Sequence, residues 1–228
     1  MVDPLARVLS EGPRSLLEEI QGPDRYDTVG APLLTMVRLL VGLQVEWAGR
    51  VDELLDLGLP DWRPEPLTAR AADVVARTAF ELEPAVLRLL EDLLDGLPQR
   101  SAEVESCGLP TTLVHGDFHR GNVRGAEERL VLLDWGDCGV GHPLFDQVAF
   151  LERMPEGERA LVSREWSRLW RAAVPGSDPD RAARLLEPVA VLRHAVVYQG
   201  FLDAIEPDER IYHAADPADW LTRAASKL

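Results

Sequence analysis

Helical spacing of apolar residues runs through most of this 228-residue chain and breaks once, between Leu113 and Phe150. From Pro32 onward, Met36, Leu40, Leu43, Trp47, Val51 and Leu54 recur at intervals of three and four, which predicts one long amphipathic helix ended by Gly58 and Pro60. Thr68 reads as the cap of a second helix running to about Leu82, and Pro84 opens a third that Gly96 and Pro98 close. Past residue 144 the helical pattern returns. A piece after "SDPD" carries Leu185, Val189, Leu192 and Val196, and a last helix is capped by Asp216 with Pro217 at its first position. Residues 1–31 are punctuated by Pro4, Gly12, Pro13, Gly22, Pro23 and Gly30, leaving room for one short helical piece around "SLLEEI", Ser15 to Ile20. Such a pattern implies a mainly α-helical body with a small β-hairpin region.

The break holds the chemistry. In "LVHGDFHRGNVRGAEERLVLLDW", the runs "TTLVH" and "RLVLLDW" read as short strands, and Gly136, Gly139 and Gly141 read as the loop after the second. Asp117 and Asn122 lie close on either side of Gly121, which permits a sharp turn. A hairpin through "RGAEER" returns Asp134 beside Asn122. A carboxylate and an amide oxygen on neighbouring strand ends suit a hard cation such as Mg²⁺, and Asp117, one loop away, is placed to take a proton from a hydroxyl. His115 and His119 are read as hydrogen-bonded structural residues rather than bases or metal ligands. A binuclear metallophosphoesterase would need further histidine ligands; only His142, His194 and His213 follow, none with a ligand partner at the expected spacing, and that reading fails.

The net charge of −15 disfavours nucleic-acid and anionic-membrane partners, which call for a basic footprint. No apolar run approaches the roughly 20 residues of a membrane span, and "MVDPLARVLSEGPRSLL" lacks the basic-then-apolar order of a secretory leader. The expectation is a soluble cytoplasmic protein. Cys107 and Cys138 stand at no metal-ligand spacing and read as two buried thiols, while Trp47, Trp62, Trp166 and Trp170 read as packing residues. The acid-rich run from Asp203 to Arg210 reads as a solvated loop, with the lining of a cationic acceptor site as its rival. Of 24 basic residues 23 are arginine, and the one lysine is Lys227.

These residues carry a family resemblance. His115-Gly116-Asp117 followed by Asn122 resembles the catalytic loop of the aminoglycoside phosphotransferase and choline kinase-like family, a branch of the protein-kinase-like fold. Asp134-Trp135-Gly136 resembles that family's metal-binding triplet, and "GHPLFDQVAF" its downstream element. The resemblance implies Mg²⁺- and ATP- (or GTP-) dependent transfer of a γ-phosphoryl group to a small-molecule hydroxyl acceptor. Asp117 would act as base or hydroxyl-orienting residue, Asn122 and Asp134 as metal ligands, and His115 and Asp146 as supports of the loop. It further implies a C-lobe spanning residues 32–228, with the catalytic and metal loops at 113–146, and a hinge-like remnant at 1–31. The family's nucleotide-clamping N-lobe has a glycine loop and a lysine, and residues 1–114 hold neither a lysine nor a G-x-G-x-x-G. Two readings follow. One is a shortened phosphotransferase whose bare face invites self-association or a partner; the other is a non-catalytic kinase-like binding module.

Overall fold

The computed structural model describes residues 5, 8–10, 16–126 and 129–228. Ahead of the β region lie α1 (Ala31–Trp47), α2 (Val51–Asp56), α3 (Pro64–Thr78) and α4 (Pro84–Glu105). After it come α5 (Leu144–Glu152), α6 (Glu156–Ala173), α7 (Pro179–Ala204), α8 (Arg210–His213) and α9 (Asp216–Ala225). The described strands pair antiparallel in twos: β1 (Val8–Ser10) with β2 (Leu16–Leu17), β3 (Thr112–Val114) with β6 (Gly139–Gly141), and β4 (Val123–Ala126) with β5 (Arg129–Leu132). The fold is therefore mainly α with small antiparallel sheets. No helix among the described residues is long and apolar enough to cross a membrane. Cys107 and Cys138 are free thiols; Cys107 is buried as expected, whereas Cys138 is only half-buried because it lines an open cavity.

The axis of the molecule is α7, which packs against α3, α4, α5, α6 and α9. Its run from Pro188 to Val196 is buried at every position, as expected of a helix enclosed on all sides. It starts at Asp178, whose carboxylate caps the helix by accepting from Arg181 N at 3.1 Å. Trp166 and Trp170 of α6 are fully buried, and Trp166 joins Phe118 and Phe150 in an aromatic centre beneath the β region. Trp62 is also buried and Trp47 packs at the edge of a smaller cluster.

Several boundaries differ from those the sequence predicts. The helix expected from Pro32 to Leu54 breaks at residues 48–50. Gly49 lowers the cost of leaving the helix, and Arg50 turns to φ −130° so that α2 lies against β3 and β6. The next helix begins at Pro64, whose fixed φ suits a first turn, and Thr68 lies inside it with its hydroxyl donating to Pro64 O at 2.6 Å. α4 runs through Gly96 and Pro98 to Glu105, because Leu90, Leu93, Leu97 and Val104 continue one buried face. That burial outweighs the about 3 kcal/mol an interior proline costs. No helix forms over residues 16–20: Leu16–Leu17 pair as β2, since Pro13 and Pro23 leave too short a run to repay helix nucleation. Residues 1–4, 6–7 and 11–15 of the proposed remnant, Ser15 among them, lie outside the described residues, as do Glu127 and Glu128.

The glycines after Asp134 also do more than form a loop. Gly139–Gly141 is β6, paired with β3 on one edge, while Val140 N donates to Pro60 O at 2.8 Å and Trp62 N to Val140 O at 2.6 Å on the other. A Cβ at Gly139 would lie 2.2 Å from Trp62 Nε1, so the absent side chain is what lets the indole lie across the strand.

Candidate active site

The loop after β3 is anchored from below. Phe118 is fully buried, stacked on Phe150 at 4.7 Å between ring centroids and edge-on to Trp166 at 6.0 Å. Its neighbour Asp117 is turned outward and stays part-exposed. Asp146, fully buried in the first turn of α5, accepts from His115 N at 2.9 Å, Gly116 N at 2.8 Å and Gln44 Nε2 at 2.9 Å. Burial pushes the Asp146 carboxyl up, whereas the two backbone donors and the Arg193 charge favour its charged form. His115 is buried, with Nε2 against Leu133 O at 2.9 Å and its ring 4.4 Å from that of Trp135. With Nε2–H donating, Nδ1 carries no proton, and burial keeps the ring neutral by lowering its pKa. It ties the loop after β3 to the strand end that delivers Asp134.

Gly116 adopts φ +91°, and a Cβ there would lie 2.0 Å from Asp137 O. Only glycine lets the two loops meet so closely. Its carbonyl accepts from Arg193 Nη2, a guanidinium reaching out of α7 that is fully buried and lies over the faces of Trp62 and Phe145. Burial lowers the Arg193 pKa, while Asp146, Asp137 and Asp117 hold it up. Asp137 is half-buried; desolvation raises its carboxyl, Arg193 opposes this, and Asp117 and Asp134 add to it.

Asp117 carries the densest set of contacts at the mouth. Arg153, at the C-terminal end of α5, places Nη1 2.6 Å from Asp117 Oδ1. Asn122 Nδ2 donates to Asp117 O at 2.9 Å and to Oδ2 at 3.3 Å. His119 Nδ1 accepts from Gly121 N at 3.0 Å, which puts the proton of a neutral ring on Nε2, 3.4 Å from Asp117 Oδ2. Burial alone would raise the carboxyl; His119 and the Arg153 charge overcome it and hold Asp117 well below the usual carboxylate range. At neutral pH it is ionised.

The hairpin register brings the remaining two residues together. Val123 faces Leu132 across β4–β5, and Leu133 N donates to Asn122 O at 2.8 Å, so Asp134 sits one residue beyond Asn122's partner. Asp134 is exposed and takes the left-handed conformation, φ 59°, which Asp tolerates better than most side chains. Asn122 spends its amide N–H₂ on Asp117, which leaves its carbonyl oxygen for another partner. That oxygen and the Asp134 carboxylate form an all-oxygen donor pair. It fits Mg²⁺, which is commonly held by one or two protein oxygens with the remaining ligands drawn from water and phosphate. No group of three or more His, Cys, Asp or Glu side chains placed to hold a metal occurs among the described residues. Beside Asp134 opens an apolar cavity of about 520 Å³ lined by Leu43, Trp47, Leu54, Leu113, Leu133 and Trp135 among others.

Asp117, Asn122 and Asp134 therefore share one edge of the molecule, with His115 and Asp146 behind them. Gln44, Arg153 and Arg193 were not legible in the sequence as site residues. The available signal was weak: a polar residue inside an apolar helical stripe, as Gln44 in "LLVGLQVEW" and Arg193 in "PVAVLRHAV". Arg153 offered none. The acid-rich run from Asp203 is exposed but for Ile205, and Asp203, at the end of α7, pairs with Arg77 at 2.6 Å.

A family model described as the phosphotransferase enzyme family matches residues 5–187. No curated protein sequence matches the chain. Among solved structures, a choline/ethanolamine kinase family protein from Mesorhizobium loti is 15% identical with a TM-score of 0.58, and 98% of this chain covers 74% of that one. An ethanolamine kinase from Plasmodium vivax is 13% identical with a TM-score of 0.63, covering 99% of this chain and 70% of its own. A GDP complex of aminoglycoside 2'-phosphotransferase-IIIa is 16% identical with a TM-score of 0.63, over 99% and 76%. At such identities these likenesses establish a shared kinase-like fold.

Proposed function

Since the chain belongs to the phosphotransferase enzyme family, we propose that it transfers the γ-phosphoryl group of ATP or GTP to a hydroxyl of a small molecule in the cytoplasm. The observation that carries this reading is an ionised Asp117 linked through Asn122 to the strand end that presents Asp134. Asp117 would accept a hydrogen bond from the acceptor hydroxyl and orient its oxygen, taking the proton as the bond to phosphorus forms. Asn122 Oδ1 and Asp134 would hold Mg²⁺, which when bound neutralises charge on the β- and γ-phosphates. Asp146, His115 and Arg193 fix the loop, so that little reorganisation is needed at the moment of transfer. The apolar cavity beside Asp134 offers a floor for the nucleotide base.

Lys227 pairs with Glu187 at 2.7 Å, joining α7 to the residues just past α9 rather than facing Asp134. Within residues 1–228, a cation at the phosphates would therefore be an arginine. The same observation favours a second reading, a kinase-like module that binds without transferring.

One experiment separates the two. The melting midpoint is measured with Mg²⁺, with ATP or GTP, and with metal and nucleotide together, for the wild type and Asp134→Asn, alongside acceptor-dependent nucleotide consumption. A ligand of the folded state raises the midpoint by mass action. Stabilisation by Mg²⁺-ATP that Asp134→Asn abolishes, together with consumption, supports transfer. Stabilisation without consumption supports the binding module. No response to either nucleotide would sink both.

A further inference from the structure

Next to Asp117, whose partners His119 and Arg153 form part of its wall, lies a cavity of about 330 Å³ lined by Tyr26, His119, Arg120, Gly121 and Arg153. The chain as a whole carries a net charge of −15, yet this cavity holds two guanidiniums and no carboxylate in its lining. Charge balance distinguishes the two arginines. Arg153 is paired with Asp117. Among the described residues Arg120 donates only to neutral carbonyls, Nη1 to Thr28 O at 2.9 Å and Nη2 to Arg153 O at 3.1 Å, and its positive charge has no carboxylate partner among them. Those bonds also fix the guanidinium plane, which lowers the entropy lost when it engages a ligand. Gly121 keeps the opposite wall close: a Cβ there would meet the His119 ring at 2.7 Å and the Tyr26 ring at 3.0 Å.

We propose that this cavity receives an anionic group of the acceptor, a carboxylate or a phosphate monoester, so that the substrate is a hydroxy acid or a polyol phosphate and not a cation. The proposal rests on the phosphotransferase reading, and it narrows the acceptor by charge. A cationic alcohol entering here would meet the Arg120 charge with no counter-ion to offset it, at low local dielectric. An anion would gain charge-assisted hydrogen bonds from the Arg120 fork and the free edge of Arg153, with its hydroxyl left beside Asp117. Tyr26, exposed at the rim, supplies a phenol that can donate to the same group.

The test uses the full chain and four hydroxyl probes that differ in charge: glycerol, choline, glycerate and glycerol 3-phosphate. Affinity is measured by calorimetry with and without Mg²⁺-ATP, and ATP consumption is followed in parallel. Glycerate or glycerol 3-phosphate should bind and glycerol and choline should not, and which anion binds tells carboxylate from phosphate. Arg120→Gln should weaken the anion about tenfold, in line with the loss of one charge-assisted contact. Arg120→Lys, which keeps the charge, should recover part of it, and both variants are checked for an unchanged melting profile. Anion binding that Arg120→Gln leaves unaltered would mark an adventitious ion only and overturn the proposal. So would binding of choline in preference to the anions, or no anion binding in either condition. If Arg120→Gln weakens Mg²⁺-ATP and not the anions, the cavity serves the nucleotide, and this assignment again fails. ATP consumption with choline alone would refute the acceptor charge and leave the transfer reading standing; anion binding without consumption would do the reverse.

Discussion

The loop that carries Asp117 and the corner that carries Asp134 face the same edge but are held in opposite ways. Asp117 is backed by a buried phenyl ring, a buried carboxylate, a buried guanidinium and a glycine in van der Waals contact with the next loop. Asp134 is exposed, left-handed in backbone and bordered by an open apolar cavity. The difference follows from their proposed tasks. A base has to be aimed before the substrate arrives, and rigid positioning is what a folded scaffold can supply. A metal ligand gains its partner only with the nucleotide, so exposed oxygens suit it.

The sharpest way to break this comparison is through the anchor. Phe118→Ala removes a fully buried ring from the aromatic centre and should cost about 4 kcal/mol in urea unfolding. A loss below about 1 kcal/mol would mean the loop is not held from beneath. Next come two glycines, one on each side of the comparison. Gly116→Ala forces a Cβ to within 2.0 Å of Asp137 O at a left-handed residue, and about 3 kcal/mol of destabilisation is expected. At Gly136 the added Cβ would meet Asp134 Oδ1 at an ordinary 3.6 Å, and the variant should stay within about 0.5 kcal/mol of wild type. Equal effects at the two glycines would erase the distinction.

The frame behind Asp117 also carries a pH signature. His194, 4% exposed and stacked on Trp220 at 4.6 Å, has its pKa pushed down to about 3 by burial and by the Arg193 charge, from 6.5 in the unfolded chain. A folded-state pKa below the unfolded one means that the unfolded chain binds the extra proton. The associated stability is complete above pH 6.5 and falls as pH drops toward the folded value. Between neutrality and pH 5 the loss is about 2 kcal/mol from this residue, and His194→Phe should remove that part of the slope in pH-dependent urea unfolding. The smallest effect on stability belongs to the open corner: Asp134→Asn keeps a side chain tolerant of φ 59° and should unfold within about 0.5 kcal/mol of wild type while losing any Mg²⁺-ATP response. A large drop in stability would show that Asp134 is structural.

How far the sequence reached depended on the range of the interactions involved. The short spacing from Asp117 to Asn122 and the hairpin register to Asp134 are local, and their convergence could be read from turn residues and strand periodicity. Helix ends were read less well, because Pro98 inside α4 and Pro64 at the start of α3 are decided by which apolar face finds a partner. Gly139–Gly141 looked like a loop until Pro60 and Trp62 supplied its second edge from far along the chain. Arg153 was invisible for the same reason, lying 36 residues beyond the aspartate it pairs with by sequence number.

By itself the sequence determined the helical class, the position of the one β-rich interruption and the identity of its oxygen-bearing side chains, since those depend on periodicity and turn chemistry within a few residues. Only the tertiary structure decided which groups press on them. Asp146 reaches back to the His115 and Gly116 amides, Arg193 emerges from α7 to hold the loop from behind, and Arg153 meets Asp117 with Arg120 at its side. Those contacts join elements separated by tens of residues, and they set the charge state of Asp117 and the sign of the cavity beside it. Such long-range electrostatics depend on where the helices pack, which no local pattern encodes.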